Sequence, residues 1–125
     1  MKITMTNAEA SRHLNDLRRL IDLDVTLPAG AWHSIFQNVS ALEKATQPME
    51  KAVKDIIERY SDGGAVLEID REKEPEKFEK CSHEISRLQN ARIEARINKI
   101  QMSRIEDCKL PASAFFAIEF MLENK

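Results

Sequence analysis

Nine residues run through the middle of the sequence without a slip: Trp32, Ile35, Val39, Leu42, Thr46, Met49, Val53, Ile56 and Tyr60 stand three and four apart in strict alternation. A heptad seam of that length predicts one long amphipathic helix, in which only Thr46 is polar. Pro48 lies inside it. A break there would free the second half to restart in any phase, so the preserved phase predicts a single helix that bends at Pro48. An interior proline costs about 3 kcal/mol, which packing along the seam offsets. Ser61, Asp62, Gly63 and Gly64 supply the turn that ends the helix.

Length then becomes an argument. At about 1.5 Å per residue, Ala31 to Tyr60 spans about 45 Å. A compact chain of this size has a radius of gyration near ~14 Å and a diameter of about 36 Å. The helix overhangs its own domain, so its seam is expected to continue against another subunit.

The flanking segments are shorter. Thr6 or Asn7 caps a first helix, with Glu9 placed to reach back as in a capping box, and Leu14, Leu17 and Ile21 give it one apolar stripe. Val25 to Leu27 reads as an extended piece closed by Pro28. Ala65 to Ile69 suits a short strand. Pro75 opens a third helix with a stripe of Phe78, Cys81, Ile85 and Leu88, its Glu and Lys residues facing water. Ile93, Ala95 and Ile97 alternate with Arg92, Glu94, Arg96 and Asn98 as a half-buried strand that shifts phase near Lys99 to present Ile100 and Met102. Ala112 to Leu122 reads as a C-terminal helix, apolar nearly all round and so needing cover all round, a second sign of subunit contacts. The expectation is one α+β domain over residues 1–125: a long kinked central helix, three shorter helices and a small antiparallel sheet, assembled as an oligomer.

Composition narrows the function classes. A chain of 125 residues buries roughly two thirds of its surface and needs no disulfide or metal staple. Its two cysteines, Cys81 and Cys108, make no disulfide framework and suit a reducing compartment. The longest purely apolar stretch, Ala114 to Ile118, is far short of the roughly 20 residues of a membrane span. Met1 to Ala10 lacks the basic start and apolar run of a signal peptide. With 19 Lys+Arg against 21 Asp+Glu, the balance argues against coating nucleic acid but leaves room for local basic patches.

Catalytic and metal constellations are thin. Three glycines exclude a glycine-rich phosphate loop. Cys81 and His83, with Cys108 and His33, match none of the usual zinc spacings, and Cys81 sits on an apolar stripe as a core thiol would. The carboxylates of Glu68 to Glu84 alternate with lysine as a solvated face does. No cofactor, metal or catalytic residue is expected. The arginines say more. Arg87, Arg92, Arg96 and Arg104 cluster, with Lys99 and Lys109 nearby, and a row of guanidinium groups is a seat for phosphate or, equally, a source of ion pairs. Arg18 and Arg19 form a smaller second candidate whose plainer reading is a solvated helix face. A bound base would want an aromatic platform, for which Phe78, Trp32 and Tyr60 are available, although core packing is the ordinary role of each.

Several short motifs resemble a family of small phage-encoded proteins of unknown function: Met1-Lys2-Ile3-Thr4, Asn7-Ala8-Glu9, Leu27-Pro28 leading into a long helix with Asn38 and Leu42-Glu43, and Glu58-Arg59-Tyr60 before an acidic turn. So do Ile93 to Ile100, Ser103 before an acidic bend, and Leu110-Pro111-Ala112 leading to Ala117-Ile118-Glu119-Phe120-Met121. The size and the helix, hairpin and helix order also look like the first family of Thoeris anti-defence proteins. That resemblance implies a hexameric sponge in the host cytoplasm. It would sequester cyclic ADP-ribose-type signals or cyclic oligonucleotides without cleaving them, and bind neither membrane nor polymeric nucleic acid. The roles of stacking ring, asparagine and basic residues then fall on Phe78, Asn90 and Arg104, with Arg92 and Lys109 nearby. The alternative is a phage morphogenesis or structural assembly protein with no small ligand.

Overall fold

The computed structural model describes residues 2–60 and 75–123. The elements are β1 (Lys2–Thr6), α1 (Asn7–Asp22), α2 (Ala29–Tyr60), α3 (Pro75–Asn90), β2 (Arg92–Arg96), β3 (Ile100–Gln101), α4 (Ala112–Ile118) and β4 (Leu122–Glu123), with single 3-10 turns at Met102–Arg104 and Glu119–Met121. The expected turn at Ser61–Gly64 and the expected strand at Ala65–Ile69 lie outside the described residues.

The 32-residue α2 is the frame, and it passes through Pro48 unbroken. Pro48 lacks the N–H that would bond the Lys44 carbonyl. Both residues are exposed, so water can satisfy that carbonyl. The buried stripe before Pro48 is Ala31, Ile35, Asn38, Leu42 and Thr46, which corrects the expected seam: Trp32 and Val39 are only half-buried at its margin. Thr46, the one polar seam residue, is fully buried because its hydroxyl donates to the Leu42 carbonyl at 2.9 Å. Asn38 is equally buried and holds a two-way amide clamp. Asn98 N–H donates to its Oδ1 at 2.7 Å, and its Nδ2 donates to Asn98 O at 3.0 Å.

α1 begins as the sequence predicts. Thr6 Oγ1 accepts from Glu9 N–H at 3.1 Å and Glu9 Oε1 accepts from Thr6 N–H at 3.2 Å, a complete capping box. These hydrogen bonds hold the Glu9 carboxyl below its ordinary range. Asn7 serves α3 instead: its Nδ2 donates to Leu88 O at 2.8 Å and its N–H to Ala91 O at 3.0 Å, occupying carbonyls at the end of that helix.

The residues before α1 form a strand that the sequence reading did not anticipate. β1 pairs antiparallel with β2 in the register Lys2↔Arg96, Ile3↔Ala95, Thr4↔Glu94, Met5↔Ile93 and Thr6↔Arg92. Met5, Ala95 and Ile97 face the core. Val25 to Leu27 is irregular rather than a strand, although Leu27 is buried. β3 and β4 make a short parallel bridge, Ile100↔Leu122 and Gln101↔Glu123. That bridge explains why the C-terminal helix stops at Ile118, four residues short of expectation: the chain must unwind for Leu122 to reach Ile100. Ala114, Ala117, Ile118 and Met121 are buried, whereas Phe116 is 67% exposed, so the helix is covered on one side only within a single chain. Among the described residues no helix is long and apolar enough to cross a membrane.

Candidate functional site

The basic residues expected at a ligand site separate into two groups. Phe78 stands in the first turn of α3 and Asn90 is its last residue; twelve residues at 1.5 Å each put them about 18 Å apart. One chain therefore does not place that ring beside that asparagine. Arg92 follows Asn90 on the exposed face of β2. Arg104 lies at the other end of the molecule, its Nη1 4.0 Å from where a Cβ on Gly30 would stand, in the first turn of α2. Lys109 belongs to that end too, beside the Leu23–Thr26 segment. Arg18 pairs with Glu43 at 3.0 Å, both side chains half exposed, and Arg19 is exposed, so this second candidate is partly neutralised.

The exposed face of the β1–β2 ribbon carries unbalanced charge. Lys2 stands directly opposite Arg96, with Arg92 at the far end of the same strand and Glu94 between the arginines. Like charges directly opposite one another destabilise a strand pair. Arg87, Arg92, Arg96 and Arg104 enter no ion pair among the described residues.

Among the described residues grooves of about 890, 540, 520 and 400 Å³ open on the surface, the last lined by Met102, Ile105, Glu106 and Phe116 among others. The largest, about 890 Å³, lies between the second half of α2 and α3 over a floor of Ile56 and Leu88. Its charged lining is Asp55, Glu58 and Glu84 against Arg59 and Arg87. Glu84 Oε2 is buried and lies 3.9 Å from Arg59 Nη2. A hydrogen bond to Glu84, then burial, pushes the Tyr60 hydroxyl upward, and burial ahead of the Glu84 charge does the same to the Cys81 thiol. An acid excess with a buried acceptor suits a hydrogen-bond donor rather than a phosphate. A second groove, about 540 Å³, has Lys109 in its lining together with Asp24 and Asp107.

The third groove, about 520 Å³, is lined by Ile21, Ala29, Trp32, His33 and Phe36. Trp32 and Phe36, one turn apart on α2, stack with centroids 5.9 Å apart and planes at 23°. Phe36 is 52% exposed. Sequence reasoning considered Trp32 as a platform and missed Phe36; the signal was the spacing itself, since residues four apart share a helix face and position 36 falls outside the seam.

Among the described residues no three His, Cys, Asp or Glu side chains come together to hold a metal. Cys81 is buried and His83, two residues on, is exposed. Comparison of the chain with protein-family models, with curated protein sequences and with solved structures gives no match.

Proposed function

We propose that this chain is a phage anti-defence sponge that binds cyclic nucleotide immune signals, of the cyclic ADP-ribose or cyclic oligonucleotide kind, in the host cytoplasm and holds them uncleaved. The observation that carries the reading is the set of arginines that meet no carboxylate among the described residues, above all Arg96 held opposite Lys2 on the β1–β2 ribbon. Such charges await an anion, and a guanidinium presents a planar fork matched to two phosphate oxygens. In this reading the protein acts as a homo-oligomer, a hexamer by the resemblance. Copies meeting end to end would join Asn90 and Arg92 of one chain with Arg104 and Lys109 of the next, groups a single chain keeps apart. Sites at such boundaries let a small protein enclose a ligand that it cannot surround alone.

The test is to mix the purified protein with cyclic ADP-ribose isomers and cyclic di- and trinucleotides, remove the protein, denature it by heat and assay what is released. Intact nucleotide is the expected result. A hydrolysed product would make the protein an enzyme. Absence of depletion would favour the second reading, a phage morphogenesis or assembly protein, which draws on the exposed apolar side chains of Leu23, Phe36 and Phe116.

A further inference from the structure

We propose that the free edge of β1 is an interface between two copies of this chain, which pair Lys2 to Thr4 antiparallel about a twofold axis and join two ribbons into one four-stranded sheet. The proposal stands on backbone geometry and does not depend on the sponge reading. In an antiparallel ladder, directly opposite residues alternate between pairs that exchange hydrogen bonds and pairs whose N–H and C=O groups point away from each other. Asn7 N–H donates to Ala91 O at 3.0 Å, and that pair continues the β1–β2 register. The bonded pairs of the ribbon are therefore Met5↔Ile93 and Ile3↔Ala95, so Lys2, Thr4 and Thr6 turn their backbone groups to the outer edge. Thr6 fixes the same phase, since its N–H leaves the ribbon for Glu9 Oε1. Its carbonyl, at an N-cap, accepts the first bond of α1. Lys2 and Thr4 are exposed, β1 pairs with no strand but β2, and on the outer side neither backbone meets a partner among the described residues.

A bare edge is a template for another strand. What occupies this one follows from the groups it offers. The capping box has used up Thr6, which leaves two residues two apart, each with one donor and one acceptor. A second copy offers the same set. With Ile3 opposite the partner's Ile3, Lys2 stands opposite the partner's Thr4 and Thr4 opposite the partner's Lys2, and each pair exchanges two hydrogen bonds. Centring on Thr4 instead would set Lys2 against the spent groups of Thr6 and halve that number. The favoured register also brings Ile3, half-buried in one chain, against its own copy in the close non-bonded pair. Charge agrees. The cross-strand row that holds only Lys2 and Arg96 in one chain gains the partner's Glu94, two strands or about 10 Å from Lys2. The outer edge of β2 differs: its outward residues Arg92, Glu94 and Arg96 are all charged, a device that blunts an edge against pairing.

Proline separates the edge from the ribbon. The Thr4 N–H points outward, so Thr4→Pro removes intersubunit bonds without touching the β1–β2 ladder, and Glu94→Pro does the same to the β2 edge as a control. Light scattering of the full-length protein should give an even number of subunits, a mass about twofold lower in Thr4→Pro and no change in Glu94→Pro, with circular dichroism alike in all three. Cysteine pairs read the register independently of any proline. In a background where the half-buried Cys108 is removed by Cys108→Ser, Ile3→Cys lies about 4.5 Å from its copy, Cα to Cα, and should form a disulfide-linked dimer under oxidising conditions. Thr4→Cys lies roughly 8 Å from its copy, too far to bridge. A native mass of one subunit, an unchanged mass in folded Thr4→Pro, or failure of Ile3→Cys to cross-link would overturn the proposal. The nucleotide-release assay judges the sponge separately: a β1-paired dimer that depletes no nucleotide keeps this contact and loses that reading.

Discussion

The two halves of α2 share one seam and differ in what covers it. Before Pro48 the helix buries Ala31, Ile35, Asn38, Leu42 and Thr46. Beyond it only Ile56 is buried, while the seam residues Met49, Val53 and Tyr60 are half-buried. α2 packs on α1 and β2, and the Asn38 clamp fixes its first half to Asn98, just beyond β2. The second half faces α3 across the groove of about 890 Å³. Periodicity therefore states which side of a helix is apolar; how much of that side is covered depends on neighbours that arrive from distant parts of the chain.

Substitutions along the seam should expose the contrast. Leu42→Ala is expected to cost about 2 to 5 kcal/mol, because a fully buried side chain leaves a cavity, while Val53→Ala costs well under half of that. Chemical denaturation of the two variants measures it, and equal losses would mean that the halves are equally enclosed. Asn38→Ala comes next, at about 1 to 3 kcal/mol, since the half-buried Asn98 N–H would lose its acceptor and the fully buried Asn38 site its side chain. Hydrogen exchange at Asn98 should rise with it.

The smallest effect is pH-dependent. His13 stacks on Phe120 with centroids 4.0 Å apart, and burial, then the Arg12 charge, push its imidazole below the ordinary value, with Asp16 and Glu9 pulling the other way. A histidine with a lowered folded pKa binds its proton more readily when unfolded. Its contribution is complete above the unfolded value of about 6.5 and declines as pH falls through and below it. The melting temperature should therefore fall more steeply between about pH 7 and pH 5 in the native chain than in His13→Gln. Parallel curves would remove this residue from the account.

Much of this was legible in the residues. The unbroken phase across Pro48 and the Thr6–Glu9 capping box are local signals, and each appears where expected. The alternation of Ile93, Ala95 and Ile97 gave the correct inward face of β2. β1 was missed although Ile3 and Met5 alternate with Lys2, Thr4 and Thr6, because the helix cap follows at once and dominates so short a window. The clamp role of Asn38 was not legible, because its partner, Asn98, is sixty residues away. No glycine or proline marks the end of α4, whose stop is imposed by the pairing of Leu122 with Ile100. At the candidate site the separation of Phe78 from Asn90 was already implied by their spacing on one helix. The exposure of Phe36 was not, since it depends on which elements leave that face of α2 open.

The ribbon between β1 and β2 joins Lys2–Thr6 to Arg92–Arg96, segments separated by most of the chain. A ribosome adding about 5 to 20 residues per second leaves the first strand waiting roughly 5 to 20 s for its mate. Throughout that interval Met5 lacks its partner Ile93, and Asn7 lacks the Leu88 and Ala91 carbonyls to which it donates. The newborn polypeptide thus holds α1, α2 and α3 before the ribbon can close, which makes the ribbon a clasp that only the late-made part of the chain can fasten.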